Sequence, residues 1–298
     1  MQLGAHLPLI AFDGERRTLA ELRSFARTAA ELGYRYLCAN DHLLFSRPWL
    51  DGPTALAATL DAAGDMTLAT TVCLPVVRGA PQTAKTLAAL SVLSDGRLVA
   101  GVGPGSSARD YELAGVPFSE RWRRFDGAVD ELRALLGPDS ALEPRPPTPP
   151  PLWIASWGSP AGLRRVARRG DGWLASGYNT TPARFGDARA ALADELRRSG
   201  KDPDGFPNAI ATMWLHVTET PREAERVLDT VLAPTLGRPI QQVRALDLPI
   251  GSAEQCAERL DAYARAGAQR IFVWPLTDEL RQLQLLRERV APLVGTAA

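Results

Sequence analysis

Leu98-Val99-Ala100-Gly101-Val102-Gly103-Pro104-Gly105-Ser106-Ser107 runs from apolar and small residues into a glycine–proline turn, then into polar residues able to open a helix. A buried parallel strand that ends at a functional surface has this form. Gly101 and Gly103 occupy the first two positions of a G-x-G-x-x-G dinucleotide loop, but the third is Ser106. Pro104 also removes a backbone N–H that such a loop needs. The stretch therefore predicts a strand end rather than an NAD site.

Outward from this strand the chain alternates. Thr18-Leu19-Ala20-Glu21 and Ser252-Ala253-Glu254-Gln255 are capping boxes. Ser159-Pro160, Thr181-Pro182 and Thr220-Pro221 each set a capping hydroxyl before a proline at the first helical position. Gly33, Gly64, Gly170, Gly200 and Gly267 follow helical patterns and mark their ends, where positive φ is easiest for glycine. Between the helices lie eight runs fit for buried strands: 3–7, 36–39, 68–74, 98–102, 152–155, 172–175, 209–217 and 270–275. A last helix falls near 279–290. Eight strand–helix units close into a single α/β domain, a (β/α)8 TIM-type barrel over residues 1–298, with an open doubly wound sheet as the alternative. The proline-rich stretch 143–151 is extended. It reads as a connection between half-barrels, because neither side alone carries a complete sheet; an interdomain linker and a PxxP ligand are its other readings.

Composition narrows the function. Lys+Arg and Asp+Glu both number 34 in 298 residues, so no basic footprint for nucleic acid stands out. Cys38, Cys73 and Cys256 are odd in number and far apart, which argues against a disulfide framework or a C-x-x-C zinc site and suits a reducing cytoplasm. The opening Met1-Gln2-Leu3-Gly4 carries no basic leader, and no apolar run reaches membrane length.

In a barrel, chemistry gathers at the C-terminal ends of the strands. Those positions hold His6, Asn40-Asp41-His42, Thr71-Val72-Cys73, Gly103 to Ser106, Ser156-Trp157-Gly158-Ser159, Ser176-Gly177-Tyr178, His216 and Trp274. With three histidines and no H-x-H or H-E-x-x-H spacing, no metal site is expected, although His6, Asp41, His42 and His216 are the residues that would have to form one. Asp61 and Asp65 read as solvated helix-end residues rather than a glycosidase pair. Ser156-Trp157-Gly158-Ser159-Pro160 brings a glycine, a capping hydroxyl and a new helix N-terminus together, an arrangement that binds phosphate; an ordinary N-cap is the plainer reading. Trp157 favours a flat or apolar ligand, since an exposed ring there wastes apolar area. His42 beside Asp41 has the makings of a proton-transfer group with an orienting carboxylate, against the alternative of a surface turn. The loop 44–50 follows the second strand directly; Phe45 and Trp49 are expected to form a substrate wall, with Trp49 packing on the barrel as the alternative.

Taken together the chain resembles the bacterial luciferase-like oxidoreductases, which use FMN or the deazaflavin coenzyme F420. The resemblance spans Gly4 to about Trp274. It rests on Gly33-Tyr34 with Asp41-His42, Thr83-Ala84-Lys85-Thr86-Leu87 leading into Leu93 to Leu98, and Gly101-Val102-Gly103-Pro104-Gly105. Gly115-Val116-Pro117-Phe118 with Arg121, Pro151 to Ala155, and Ala167 with Gly170-Asp171-Gly172-Trp173 complete it. The resemblance implies a flavin or deazaflavin over the barrel mouth with its phosphate toward Ser156–Ser159, Asp41 on the cofactor and His42 in proton transfer. It also implies a non-prolyl cis peptide at Thr71-Val72, beside the cofactor ring and next to the loop of Gly103 and Gly105. Sugar-oxidising F420 enzymes carry a glutamate where this chain has Ser106, so that acid role is vacant. Light-emitting and alkanesulfonate-type members are longer; the short segment 236–251 resembles compact members often assigned to F420. The implied partners are a small organic substrate, oxygenated or exchanging a hydride, and a separate flavin reductase or F420-reducing enzyme. A homodimer is compatible with the sequence. A non-catalytic flavin-binding barrel is the rival reading.

Overall fold

A computed structural model describes residues 1–12, 14 and 17–295. Its strands are β1 (Gln2–His6), β2 (Tyr36–Ala39), β3 (Thr67–Thr70), β4 (Leu98–Val102), β5 (Leu152–Ala155), β6 (Gly172–Ser176), β7 (Asn208–Val217), β8 (Ile250–Gly251) and β9 (Arg270–Pro275). All pairings among them are parallel, in the order β6-β5-β4-β3-β2-β1-β9-β7, and β7 pairs back onto β6. The sheet therefore closes into an eight-stranded barrel. Every residue of β2, β4 and β7 is buried, which is why β2 and β4 read as unbroken apolar or small-residue runs rather than alternating ones.

The helices follow their caps. The first eight are α1 (Leu19–Glu31), α2 (Gly52–Ala58), α3 (Pro75–Arg78), α4 (Ala80–Leu93), α5 (Ala108–Leu113), α6 (Arg121–Leu136), α7 (Pro160–Arg169) and α8 (Pro182–Arg198). Both capping boxes form, at Thr18 with Glu21 and at Ser252 with Gln255. Ser159, Thr181 and Thr220 each accept the expected backbone N–H. Three apolar clusters result among the described residues: one fills the barrel with Tyr36, Trp153, Leu174 and Phe272 among others, the largest packs the helices on the barrel, and a small one of Leu74, Val77 and Tyr111 joins α3 to α5.

Four expectations need adjustment. The third strand stops at Thr70 rather than running to residue 74: Cys73 keeps only an isolated bridge to Val102, and the Leu74 N–H turns to the Asp41 carboxylate. β8 was not foreseen: it is two residues long, lies outside the barrel and pairs only with the end of β7, His216 opposite Ile250. The last helix is α-helical over Glu279–Leu285 and continues as a π-helical turn, Leu286–Val290. Gly170 ends α7 at φ −95°, not at positive φ. A side chain there would meet the Val166 carbonyl oxygen at 2.8 Å, so close packing makes the same residue necessary.

The stretch 143–151 contains a cis Glu143–Pro144 bond and delivers the chain to β5, whose Leu152 pairs with Ala100 of β4. Among the described residues no helix is long and apolar enough to cross a membrane.

Candidate active site

A cavity of about 1060 Å³ opens at the C-terminal ends of the strands. That is at the upper end of small-molecule sites and large enough for a cofactor together with a substrate. Asp41, His42, Thr71, Val72, Gly103, Gly105, Ser156, Trp157, Gly158 and Ser159, all singled out from the sequence, line it together. The barrel brings them there from four different strand ends.

His42 is the most defined group on this wall. Its Nδ1 lies 2.7 Å from Oδ2 of Asp110, a residue of α5 with a side chain only 1% exposed. An ionised carboxylate can only accept, so Nδ1 carries the proton and the bare Nε2 is left for other work. The second oxygen of Asp110 accepts the N–H groups of Leu43 at 3.2 Å and Leu44 at 2.8 Å, which fixes the carboxylate plane and the chain just after His42. A buried His–Asp pair of this geometry orients a base and stabilises its protonated form. The orienting carboxylate is thus Asp110, not the adjacent Asp41.

Asp41 is committed elsewhere. Arg78 at the end of α3 donates Nε to its Oδ2 at 2.5 Å and Nη2 to its Oδ1 at 2.6 Å, and Leu74 N–H adds a bond at 3.2 Å. Arg78 also pairs with Asp51, the N-cap of α2. Asp41 and Asp51 together hold the Arg78 guanidinium firmly protonated, its pKa well above the ordinary value. This bidentate pair ties the ends of β2 and β3 to the start of α2 beside the cavity. Burial and the neighbouring Asp41 charge push the Cys73 thiol up, so it is no nucleophile.

The Thr71–Val72 peptide is cis, at the position the resemblance implied. Gly103 faces it: a Cβ there would sit 2.8 Å from the Val72 methyl, so only glycine lets the two loops meet. At the end of the neighbouring β5, Ser156 Oγ accepts the Gly158 N–H and Ser159 Oγ accepts the Gly162 N–H. Two of the donors expected for a phosphate are therefore used internally. The N–H groups of Trp157, Ser159 and Ala161 make no hydrogen bond among the described residues and remain at the N-terminus of α7. Gly158 holds φ +90°, and a Cβ would meet that of Ala188 on α8 at 3.0 Å. Trp157 is 56% exposed at the cavity edge. Arg184, in the first turn of α8, adds a guanidinium to the same wall. Free N–H groups, a helix N-terminus and a cation fit the phosphate of FMN or F420.

Phe45 and Trp49, expected on a substrate wall, stand outside the lining of this cavity. Their rings pack on His42 at centroid distances of 5.2 and 4.7 Å and on each other at 4.5 Å. His6 is fully buried, its pKa pushed down to about 3 by burial. Burial likewise lowers the pKa of His216. Among the described residues no group of three or more His, Cys, Asp or Glu side chains is placed to hold a metal ion. Asp61 is half-exposed and paired with Arg23.

Sequence reasoning missed Asp110 and Arg184, while Tyr178, read from the sequence at a strand end, does line the cavity. Asp110 stands three residues after Ser107, the place of the third-position partner of a helix cap. Ser107 does cap its backbone N–H at 3.3 Å, while the side chain points to His42 instead.

Residues 6–270 match the luciferase-like monooxygenase family model. The chain is 26% identical to an F420-dependent glucose-6-phosphate dehydrogenase of Kribbella flavida, with 92% of this chain and 94% of that protein aligned. It is 28% identical to an F420-dependent hydroxymycolic acid dehydrogenase of Mycobacterium tuberculosis over 61% of this chain and 55% of that one. Among solved structures it shares its fold with an F420-dependent secondary alcohol dehydrogenase in complex with an F420-acetone adduct, at TM-score 0.83 and 17% identity, covering 98% of each chain. The monooxygenase RslO1 from Streptomyces bottropensis superposes at TM-score 0.84 with 19% identity, covering 98% of this chain and 99% of that one. With the barrel closed and most of the chain matched, this protein belongs to the luciferase-like monooxygenase family.

Proposed function

We propose that this protein is an oxidoreductase that binds FMN or F420 over the barrel mouth and exchanges a hydride with a small organic substrate. The observation that carries the reading is that His42, paired with Asp110, lines the same cavity as the phosphate-ready turn 156–159. A non-catalytic flavin carrier has no use for that pair. Hydride exchange is preferred over oxygenation because the relatives aligned over nine-tenths of the chain are dehydrogenases.

The flavin or deazaflavin, when bound, supplies the centre that takes or gives the hydride. The protein does the rest. The Trp157 and Ser159 N–H groups with Arg184 would hold the phosphate, and the Thr71–Val72 backbone lies along the cavity wall. His42 Nε2 is the group that would take the proton of a substrate hydroxyl, or return it to a carbonyl oxygen in the reverse direction. Asp110 stabilises the imidazolium that forms and keeps Nε2 aimed at the cavity. Asp41, through Arg78, fixes the loop that carries His42. Recycling of the cofactor falls to a separate flavin reductase or F420-reducing enzyme; the absence of a dinucleotide loop at Ser106 in the sequence supports this division.

Titration of the apoprotein with FMN and F420, each oxidised and reduced, tests the reading by fluorescence. Saturable binding of at least one cofactor is expected, followed by substrate-dependent change of its redox state without oxygen uptake. Binding of none of the four forms refutes it, and stoichiometric oxygen uptake redirects it to monooxygenation.

A further inference from the structure

A second cavity, of about 310 Å³, adjoins the main one and has no part in the proton path. Trp157, Tyr178 and Arg184 line both, so the two chambers meet at these side chains. Trp157 belongs to the phosphate-ready turn, and Arg184 is the cation assigned to the same phosphate. The residues around His42 do not reach the smaller chamber: Asn40, Asp41, Thr71 and Val72 line the main cavity alone. The side chamber therefore continues from the phosphate end of the site, not from its reacting end.

Its outer wall is built from two fixed segments. One is the loop after β6, where Asn179 Nδ2 donates to Ser176 Oγ at 3.0 Å and the Tyr263 hydroxyl donates to the Thr180 carbonyl at 3.1 Å. The other is the turn at Ala245 and Leu246, which follows the helix Ile240–Arg244. No acidic residue lines the chamber. A second cation stands near it: the Arg238 guanidinium lies 6.0 Å from the centre of the Tyr178 ring. Gly237 at φ +59° precedes it, and the Arg238 N–H bonds the Ala233 carbonyl at 3.2 Å, which fixes the base of this side chain. Neither Arg184 nor Arg238 pairs with a carboxylate among the described residues. Two uncompensated guanidiniums around one tyrosine favour an anion between them.

The other extension of the main cavity is less suited to an anion. It runs along α8, where Asp187, Asp194 and Glu195 line it. The cations there are taken, Arg198 by Glu195 at 2.9 Å and Arg197 by Asp194 at 2.8 Å.

We propose that the side chamber receives the carboxylate-bearing chain that continues beyond the phosphate of F420, and so selects F420 over FMN. FMN ends at a phosphate monoester. The phosphate of F420 is a diester that goes on into a lactyl group and glutamyl units with free carboxylates. A guanidinium has five donors, so Arg184 can face the phosphate on one side and a carboxylate on the other, with Arg238 beyond it. The inference rests on the cofactor reading of the site. It adds a choice that the turn 156–159 cannot make, because both cofactors carry a phosphate.

Fluorescence titration of the apoprotein tests it without turnover, using FMN, F420 with its glutamates, and the deazaflavin that stops at the lactyl phosphate. F420 is expected to bind roughly threefold or more tighter than the shortened form, and tighter than FMN, with a gap that narrows as salt rises. Arg238→Gln removes a cation, and Leu246→Trp fills the chamber. Each should erase most of the advantage of F420 and leave the affinities for FMN and the shortened form within about twofold of the parent. Either variant serves should the other misfold. Equal Kd values for F420 and the shortened form, tighter binding of FMN than of F420, or variants that keep the parental gap overturn the side-chamber assignment. Uptake of none of the three ligands by the parent overturns the cofactor reading itself, and this inference with it.

Discussion

Replacing Asp110 by Asn isolates the step on which the proposed chemistry depends. The substitution is nearly isosteric, and the side chain it alters is 1% exposed, so packing changes little. In the parent, Oδ1 accepts Leu43 and Leu44 N–H, and Oδ2 accepts Nδ1–H of His42 at 2.7 Å. An amide at this position can keep its carbonyl oxygen on the two backbone donors, and its NH₂ then faces Nδ1. Two donors cannot meet there, so the imidazole must shift its proton to Nε2 and loses the bare nitrogen that faces the cavity. The charge that stabilises the imidazolium is lost as well. General acid–base groups contribute roughly 10²–10⁴-fold, and kcat should fall within that range. The phosphate-ready turn is at a different strand end, so cofactor Kd should stay within about twofold of the parent, a change of under about 0.5 kcal/mol. Steady-state rates with a responsive substrate, cofactor titration and nitrogen chemical shifts of His42 read the three quantities separately. Parental kcat with an altered tautomer, or a fall in kcat that tracks lost cofactor binding, refutes the assignment of Asp110 as the positioning residue.

Two further outcomes follow from the same geometry. Gly158→Val should abolish cofactor binding, because φ +90° and the Ala188 methyl 3.0 Å from the new Cβ leave no room; Ser159→Ala should weaken it only modestly, and equal Kd values for both variants count against the turn 156–159. Buried His6, with its pKa held near 3 against about 6.5 when unfolded, stays neutral in the fold while the unfolded chain takes up a proton below pH 6.5. Between pH 6.5 and 3 it should therefore cost about 1.4 kcal/mol of stability per unit of falling pH, a share that denaturant titrations of His6→Gln across that window should lack.

Much of this protein is legible in its sequence because its barrel is built from uninterrupted apolar strands and explicitly capped helices. Runs such as Leu98–Val102 and Leu152–Ala155 are buried on both faces, and that alone distinguishes them from loops. Thr18, Ser159, Thr181, Thr220 and Ser252 name their helix starts because a hydroxyl accepting a backbone N–H is a local event. β8 escaped for the opposite reason. Two residues carry no pattern, and Ile250 and Gly251 are ordered only by the end of β7. The same division runs through the site. Asp41, His42, Thr71, Val72 and the Ser156–Ser159 turn sit at strand ends, so knowing the fold was enough to place them on one cavity. Asp110 lies 68 residues from His42, and the local signal around it spoke for a helix cap. The pairing of Trp214 with Trp274 is hidden more deeply. Trp214 reaches Trp274 through a β7–β9 ladder whose register shifts between Ile210 and Met213, beside Thr212 at φ +55°. A bulge inserts one residue and reverses which side chains face inward. Without it, strict alternation from Ala209 and Ala211, both inside the barrel, would turn Trp214 outward. One irregular residue thus turns Trp214 to the face of the ladder that carries Phe272 and Trp274.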